Sequence, residues 1–106
     1  MDYFMDYDAV LDKNRYNAFH GTSLDESLRS IKIQELIITG VLTNCCCETT
    51  ARDAFVRDYR VFFAGDATAT VNEELHLASL KNLAFGFAHI MGTEQICNYL
   101  KGSEYI

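Results

Sequence analysis

Two short apolar runs, Glu35-Leu36-Ile37-Ile38-Thr39-Gly40 and Arg60-Val61-Phe62-Phe63-Ala64-Gly65, constrain this chain more than any other feature. Each is rich in β-branched or aromatic residues, and each ends in glycine. Continuous apolar runs of this length suit strands buried on both faces, the usual situation in a parallel sheet. Between them, from Asn44 to about Asp58, Cys47, Ala51, Ala54 and Phe55 recur at the spacing of one helix face. Asn72 then reads as the cap of a helix whose inner face carries Leu75, Ala78, Leu83 and Phe87 or their neighbours. Ala88-His89-Ile90-Met91 reads as a short final strand, and Thr93 as the cap of a last helix reaching Leu100. Upstream, residues 8–13 read as a short strand. Thr22, with Asp25 three residues later, opens a helix through about Ser30. A βα unit repeated four times predicts a three-layer α/β/α Rossmann-like sandwich with a mostly parallel sheet. At 106 residues there is room for a single domain, spanning 1–106.

The net charge of −6, with nine scattered Lys and Arg, argues against nucleic acid, which requires a basic face. No run approaches the ~20 apolar residues of a membrane-spanning helix. Met1-Asp2-Tyr3-Phe4-Met5-Asp6 lacks the basic start and apolar stretch of a secretory leader, so a cytoplasmic location is expected. Of the four cysteines, three are consecutive and Cys97 stands alone. Adjacent cysteines point in different directions and make a poor disulfide framework. The paired spacing of zinc ligands is absent, so neither metal nor other cofactor is expected. Reduced thiols are the economical reading.

Ligands of open α/β sheets bind beyond the carboxyl ends of the strands. After the first long run comes Gly40-Val41-Leu42-Thr43-Asn44-Cys45-Cys46-Cys47. A cysteine in the first turn of a helix lies near the positive end of the macrodipole, and the free N–H groups there can hold an oxyanion. Free cysteines are also common packing residues. On position alone, both readings stand.

Several segments together bear on that choice. These are Lys13-Asn14-Arg15-Tyr16-Asn17-Ala18-Phe19, Gly21-Thr22-Ser23-Leu24, Thr39-Gly40-Val41-Leu42-Thr43-Asn44-Cys45-Cys46 and Thr50-Ala51-Arg52-Asp53-Ala54-Phe55. With Asp66-Ala67, Glu74, His76, Ser79 and Leu80 downstream, they resemble the isochorismatase-like cysteine hydrolases from about Lys13 to Ile96. That family includes isochorismatases, nicotinamidases, carbamoylsarcosine amidases and ureidoacrylate hydrolases.

The resemblance implies an Asp–Lys–Cys triad with Cys46 as nucleophile and Lys13 as the lysine, and makes Cys45 and Cys47 packing residues. It implies a cis peptide between Val41 and Leu42 and an oxyanion hole from the N–H groups of Leu42 and Cys46. Substrate contacts fall to Tyr16, Phe19, Val41, Thr43 and Asn44. For Tyr16 and Phe19, core packing fits the residues equally well.

The family's aspartate ends its first strand, far upstream of the lysine, whereas Asp2, Asp6, Asp8 and Asp12 stand too near Lys13 to take its place. The expectation is a C-terminal portion of the fold, truncated at its N-terminal side. The metal-binding residues of nicotinamidases belong to the same upstream region. The implied function is hydrolysis of an amide, ureide or vinyl-ether small molecule. The alternative is a non-catalytic, oligomeric interaction module with the same fold. Homo-oligomerisation is expected in either case, through the edges of the Glu35–Gly40 strand or the helix beginning near Cys45, because an open sheet edge recruits other strands. His76 reads as a structural hydrogen-bonding histidine, and His20 as a turn residue or pocket wall.

Overall fold

The structure, a computed structural model, describes residues 9–104. Three parallel strands, β1 (Glu35–Val41), β2 (Arg60–Ala69) and β3 (His89–Met91), form a sheet in the order β1-β2-β3. Four helices accompany them: α1 (Leu24–Ser30), α2 (Glu48–Val56), α3 (Glu73–Gly86) and α4 (Thr93–Glu104). A wide π-helical turn, Thr43–Cys47, joins β1 to α2.

Leu36 pairs with Val61 and Ile38 with Phe63, so these four side chains share one face of the sheet. On that face Val61 and Phe63 are buried with Phe19, Cys47, Ala51, Ala54, Tyr59 and Leu83. Leu24, Leu28, Leu36, Ile38, Leu80 and Ile90 pack around them. This is the main core, beneath α1, α2 and α3. The opposite face is covered by α4. There Phe62 meets the rings of His89 and Tyr99, each at 5.3 Å, and Ile96 is buried. Ile37 lies beside Phe62 on this thinner side and remains 39% exposed.

The α/β/α architecture therefore holds, but several elements differ from their sequence reading. β1 is not a buried strand. It is an edge strand, and among the described residues nothing pairs with its outer side. Residues 9–13 form no strand, and Asp8 lies outside the described residues. The sheet thus has three described strands rather than four. Ser23 rather than Thr22 occupies the N-cap position of α1, and its side chain makes no capping bond. Thr22 instead tightens the approach to it, accepting from the Leu24 N–H at 3.3 Å and donating to the Ala18 carbonyl at 2.6 Å. Asn72 does cap α3, accepting from the Leu75 N–H at 2.9 Å. The inner face of α3 is His76, Ser79, Leu80, Leu83 and Phe87, while Leu75 and Ala78 are exposed. Apolar residues lie all around this helix, so its sequence alone does not choose the buried stripe.

At its far end β2 bulges away from β1, because Gly40 pairs with Thr68 although Ile38 pairs with Phe63. The Thr68 hydroxyl closes the bulge by donating to the Ala64 carbonyl at 3.0 Å. Asp66 is carried toward α4, where it accepts from the hydroxyl and the N–H of Thr93, both at 2.8 Å. Those two bonds, the hydroxyl's first, hold the Asp66 carboxyl below its usual range.

Candidate active site

The site is built where β1 ends. Gly40 takes φ of 119°, a region that side-chain-bearing residues avoid. The Val41–Leu42 peptide bond is cis, at the position the family resemblance implied. In a regular α-helix the Cys46 N–H would bond to the Leu42 carbonyl four residues back. Here that carbonyl accepts instead from Cys45 N–H at 3.2 Å and Cys47 N–H at 3.1 Å. The wide turn passes over the Cys46 amide. Such one-turn expansions are frequent at functional sites.

The three cysteines diverge. Cys47 is buried, its thiol directed at the Thr39 carbonyl at 3.9 Å, and Cys45 faces Asn44 Oδ1 at 4.0 Å. Burial, reinforced by charge on Cys46 and opposed by Lys13, pushes the Cys47 thiol up to about 11. Cys46 is half-buried, and Lys13 Nζ donates to its Sγ at 3.7 Å. The same ammonium donates to the Arg15 carbonyl at 2.8 Å. Lys13 and Cys46 line a cleft of about 290 Å³ with Ile38, Thr39, Val41 and Thr50. Tyr16, 61% exposed, lies with Lys13 on an adjoining depression.

The remaining candidates fall elsewhere. Leu42 is exposed on the turn. Phe19 does not line the cleft. It is buried and stacked on Tyr59 at 5.9 Å, so the packing reading holds for it. Thr43 is fully buried, its hydroxyl 2.8 Å from His76 Nδ1, while His76 Nε2 is 3.0 Å from the Gly65 carbonyl. A carbonyl only accepts, so Nε2 carries the hydrogen and Nδ1 accepts from Thr43. The pair braces the turn from within and corrects the placement of Thr43 in the substrate wall. Asn44 is likewise engaged, its Oδ1 accepting from the Thr70 hydroxyl at 2.7 Å. His20 is exposed. Arg52 and Asp53 each make a helix-surface ion pair, with Glu48 at 2.8 Å and with Arg57 at 3.0 Å.

Among the described residues no carboxylate pairs with Lys13, and no cluster of three metal-ligating groups occurs. Asp2 and Asp6 lie outside the described residues. The sequence reading missed the bonds by which Asn17, Thr50 and Asp53 fasten the Lys13 segment to α2. A signal was present: Cys46, Thr50, Asp53 and Arg57 repeat at helical spacing as a polar stripe.

The profile of the isochorismatase domain matches residues 4–95. Nicotinamidase 3 of Arabidopsis thaliana is 53% identical over 96 residues, covering 91% of this chain and 48% of that protein. Enterobactin synthase component B of Escherichia coli K12 is 43% identical over 89 residues, covering 84% of this chain and 31% of that protein. A cysteine hydrolase from Pseudomonas syringae pv. phaseolicola 1448A superposes with a TM-score of 0.89 at 30% identity, over 92% of this chain and 51% of that one. The chain thus spans about half, or less, of the length of these relatives. The chain belongs to the isochorismatase-like hydrolase family.

Proposed function

We propose that this chain supplies the reacting thiol of a hydrolase that cleaves a small carboxamide, with Cys46 as nucleophile. The observation that carries the proposal is the 3.7 Å approach of Lys13 Nζ to Cys46 Sγ at an open cleft. A carboxamide is favoured over a ureide or vinyl ether by the identity to nicotinamidase 3.

In this reading the Cys46 sulfur attacks the carbonyl carbon. The N–H groups of Leu42 and Cys46 hold the resulting oxyanion. The C–N bond breaks as the nitrogen takes up the proton given up by the thiol and leaves as ammonia. Water then hydrolyses the thioester, releasing the carboxylic acid and restoring the thiol. Lys13 offsets negative charge on the sulfur. Tyr16 and Val41 bracket a flat substrate. Proton transfer needs a carrier, and the described residues hold no carboxylate at Lys13 for that task.

The proposal extends to a homo-oligomer formed through the open edge of β1 and to a cytoplasmic location. Among the described residues no helix is long and apolar enough to cross a membrane.

Iodoacetamide labelling of the folded chain at neutral pH, mapped by tandem mass spectrometry, checks the thiol assignment. Cys46 is expected to label before Cys45, Cys47 or Cys97. Cys47 is expected last, since it is buried and its thiol titrates only near about 11. Equal labelling of all four overturns the assignment.

A further inference from the structure

We infer that Thr50, aided by Asp53, is a positioning residue that sets the Lys13 ammonium against the Cys46 sulfur. The inference rests on the Lys13–Cys46 pairing proposed above and goes beyond it.

Residues 9–23, which carry Lys13, contain neither helix nor strand. No backbone ladder therefore fixes their position; burial of Phe19 anchors one end, and side-chain bonds hold the stretch between it and Lys13. Those bonds converge on one stripe of α2 and the turn before it. Cys46, Thr50, Asp53 and Arg57 stand at i, i+4, i+7 and i+11, and so project from one side.

The Thr50 hydroxyl accepts from the Ala18 N–H at 3.0 Å and donates to the Tyr16 carbonyl at 3.4 Å. It thus grips the backbone on both sides of Asn17. Asp53 takes the Asn17 side-chain amide at 2.6 Å on one oxygen and Arg57 Nε at 3.0 Å on the other. Asn17 in turn accepts from the Phe19 N–H at 2.9 Å. Residues 16–18 are clipped to the same helix face that presents Cys46. Lys13 is folded back onto this segment by its bond to the Arg15 carbonyl. Thr50 is nearly buried, so its hydroxyl meets little competition from water.

The contrast with Arg52 is informative. Arg52 lies on the same helix but off the stripe, pairs only with its own helix neighbour Glu48, and stacks on Phe87 at 4.3 Å. It has no route to Lys13.

The strength of exposed ion pairs translates into about a two- to fivefold effect of Lys13 on Cys46 labelling. The test compares iodoacetamide rate constants at Cys46 in the unmodified chain, Lys13→Met, Thr50→Val, Thr50→Ser and the Lys13→Met/Thr50→Val double variant. Far-UV circular dichroism confirms folding of each. Thr50→Val is expected to slow labelling about as much as Lys13→Met, and Thr50→Ser to restore it. Thr50→Val is expected to add nothing once Lys13 is gone. If Thr50→Val does not fold, Asp53→Asn, which weakens the same clip, is expected to slow labelling in part.

Three results separate the ways this can fail. Full-speed labelling of a folded Thr50→Val chain, or of Asp53→Asn in its place, with slow labelling of Lys13→Met, overturns the clamp alone. Full-speed labelling of Lys13→Met overturns the underlying pairing. A further slowing in the double variant shows general loosening of the turn and overturns the positioning role.

Discussion

Hydrolysis of nicotinamide by the 106-residue chain is expected to run about 10²–10⁴-fold slower than by a full-length family member, and to fall to background in Cys46→Ala. The factor is the usual worth of a positioned general acid–base group. Lys13 donates to Cys46 and to the Arg15 carbonyl, with no carboxylate beside it among the described residues. His76 is not a substitute, because both its ring nitrogens are engaged by Thr43 and Gly65. Ammonia release under single-turnover conditions measures the rate. Robust turnover that disappears in Cys46→Ala would show that a carboxylate reaches the site from elsewhere, such as a residue outside 9–104 or a second copy. Turnover that survives Cys46→Ala contradicts the nucleophile itself.

The second large effect is expected in sedimentation equilibrium. At low micromolar concentration the chain is expected as a dimer or larger assembly. Among the described residues the outer edge of β1 presents unpaired backbone donors and acceptors beside the exposed side chains of Ile37 and Val41. Parallel strands are rarely left in this state, and open apolar edges pair with whatever strand they meet. A two-fold axis beside β1 would bring two copies of the strand together antiparallel and give one continuous sheet. Placing a charge on that edge, as in Ile37→Lys, is expected to return the chain to monomer with its far-UV spectrum unchanged. A well-folded monomer of the unmodified chain at the lowest concentration contradicts this reading.

What the sequence disclosed follows from which signals are local. The strand cores 35–40 and 60–65, the Asn72 cap and the run of Cys47, Ala51 and Ala54 are short-range patterns, and each appears where the sequence put it, whereas Phe55, read onto the same helix face, is 47% exposed. The edge position of β1 is not legible in the run itself, because an apolar run records what a strand is suited to face and not whether a neighbour is present on each side. It follows from the resemblance, whose truncated N-terminal side implies an open sheet edge. Ile37 and Val41 have the composition of buried residues and are exposed.

The candidate site residues are legible in the same uneven way. Cys46 and Lys13 stand 33 residues apart, and no periodicity joins them. Resemblance named the pair, and the structure brings them within contact distance. Phe19 and Thr43 flank the motif yet turn inward, because Tyr59 and His76, distant in sequence, receive them. The Thr50 and Asp53 clip was readable as a polar stripe, but its partners are a loop whose path no local rule supplies.

Covalent capture offers the most direct measurement. Acid quenching of the chain with a carboxamide, followed by tandem mass mapping, is expected to find the acyl group as a hydroxylamine-sensitive thioester on Cys46. The adduct should persist in Cys45→Ser and Cys47→Ser and be lost in Cys46→Ser. An acyl group on another cysteine, or a thioester that survives in Cys46→Ser, would contradict a nucleophilic role for that sulfur.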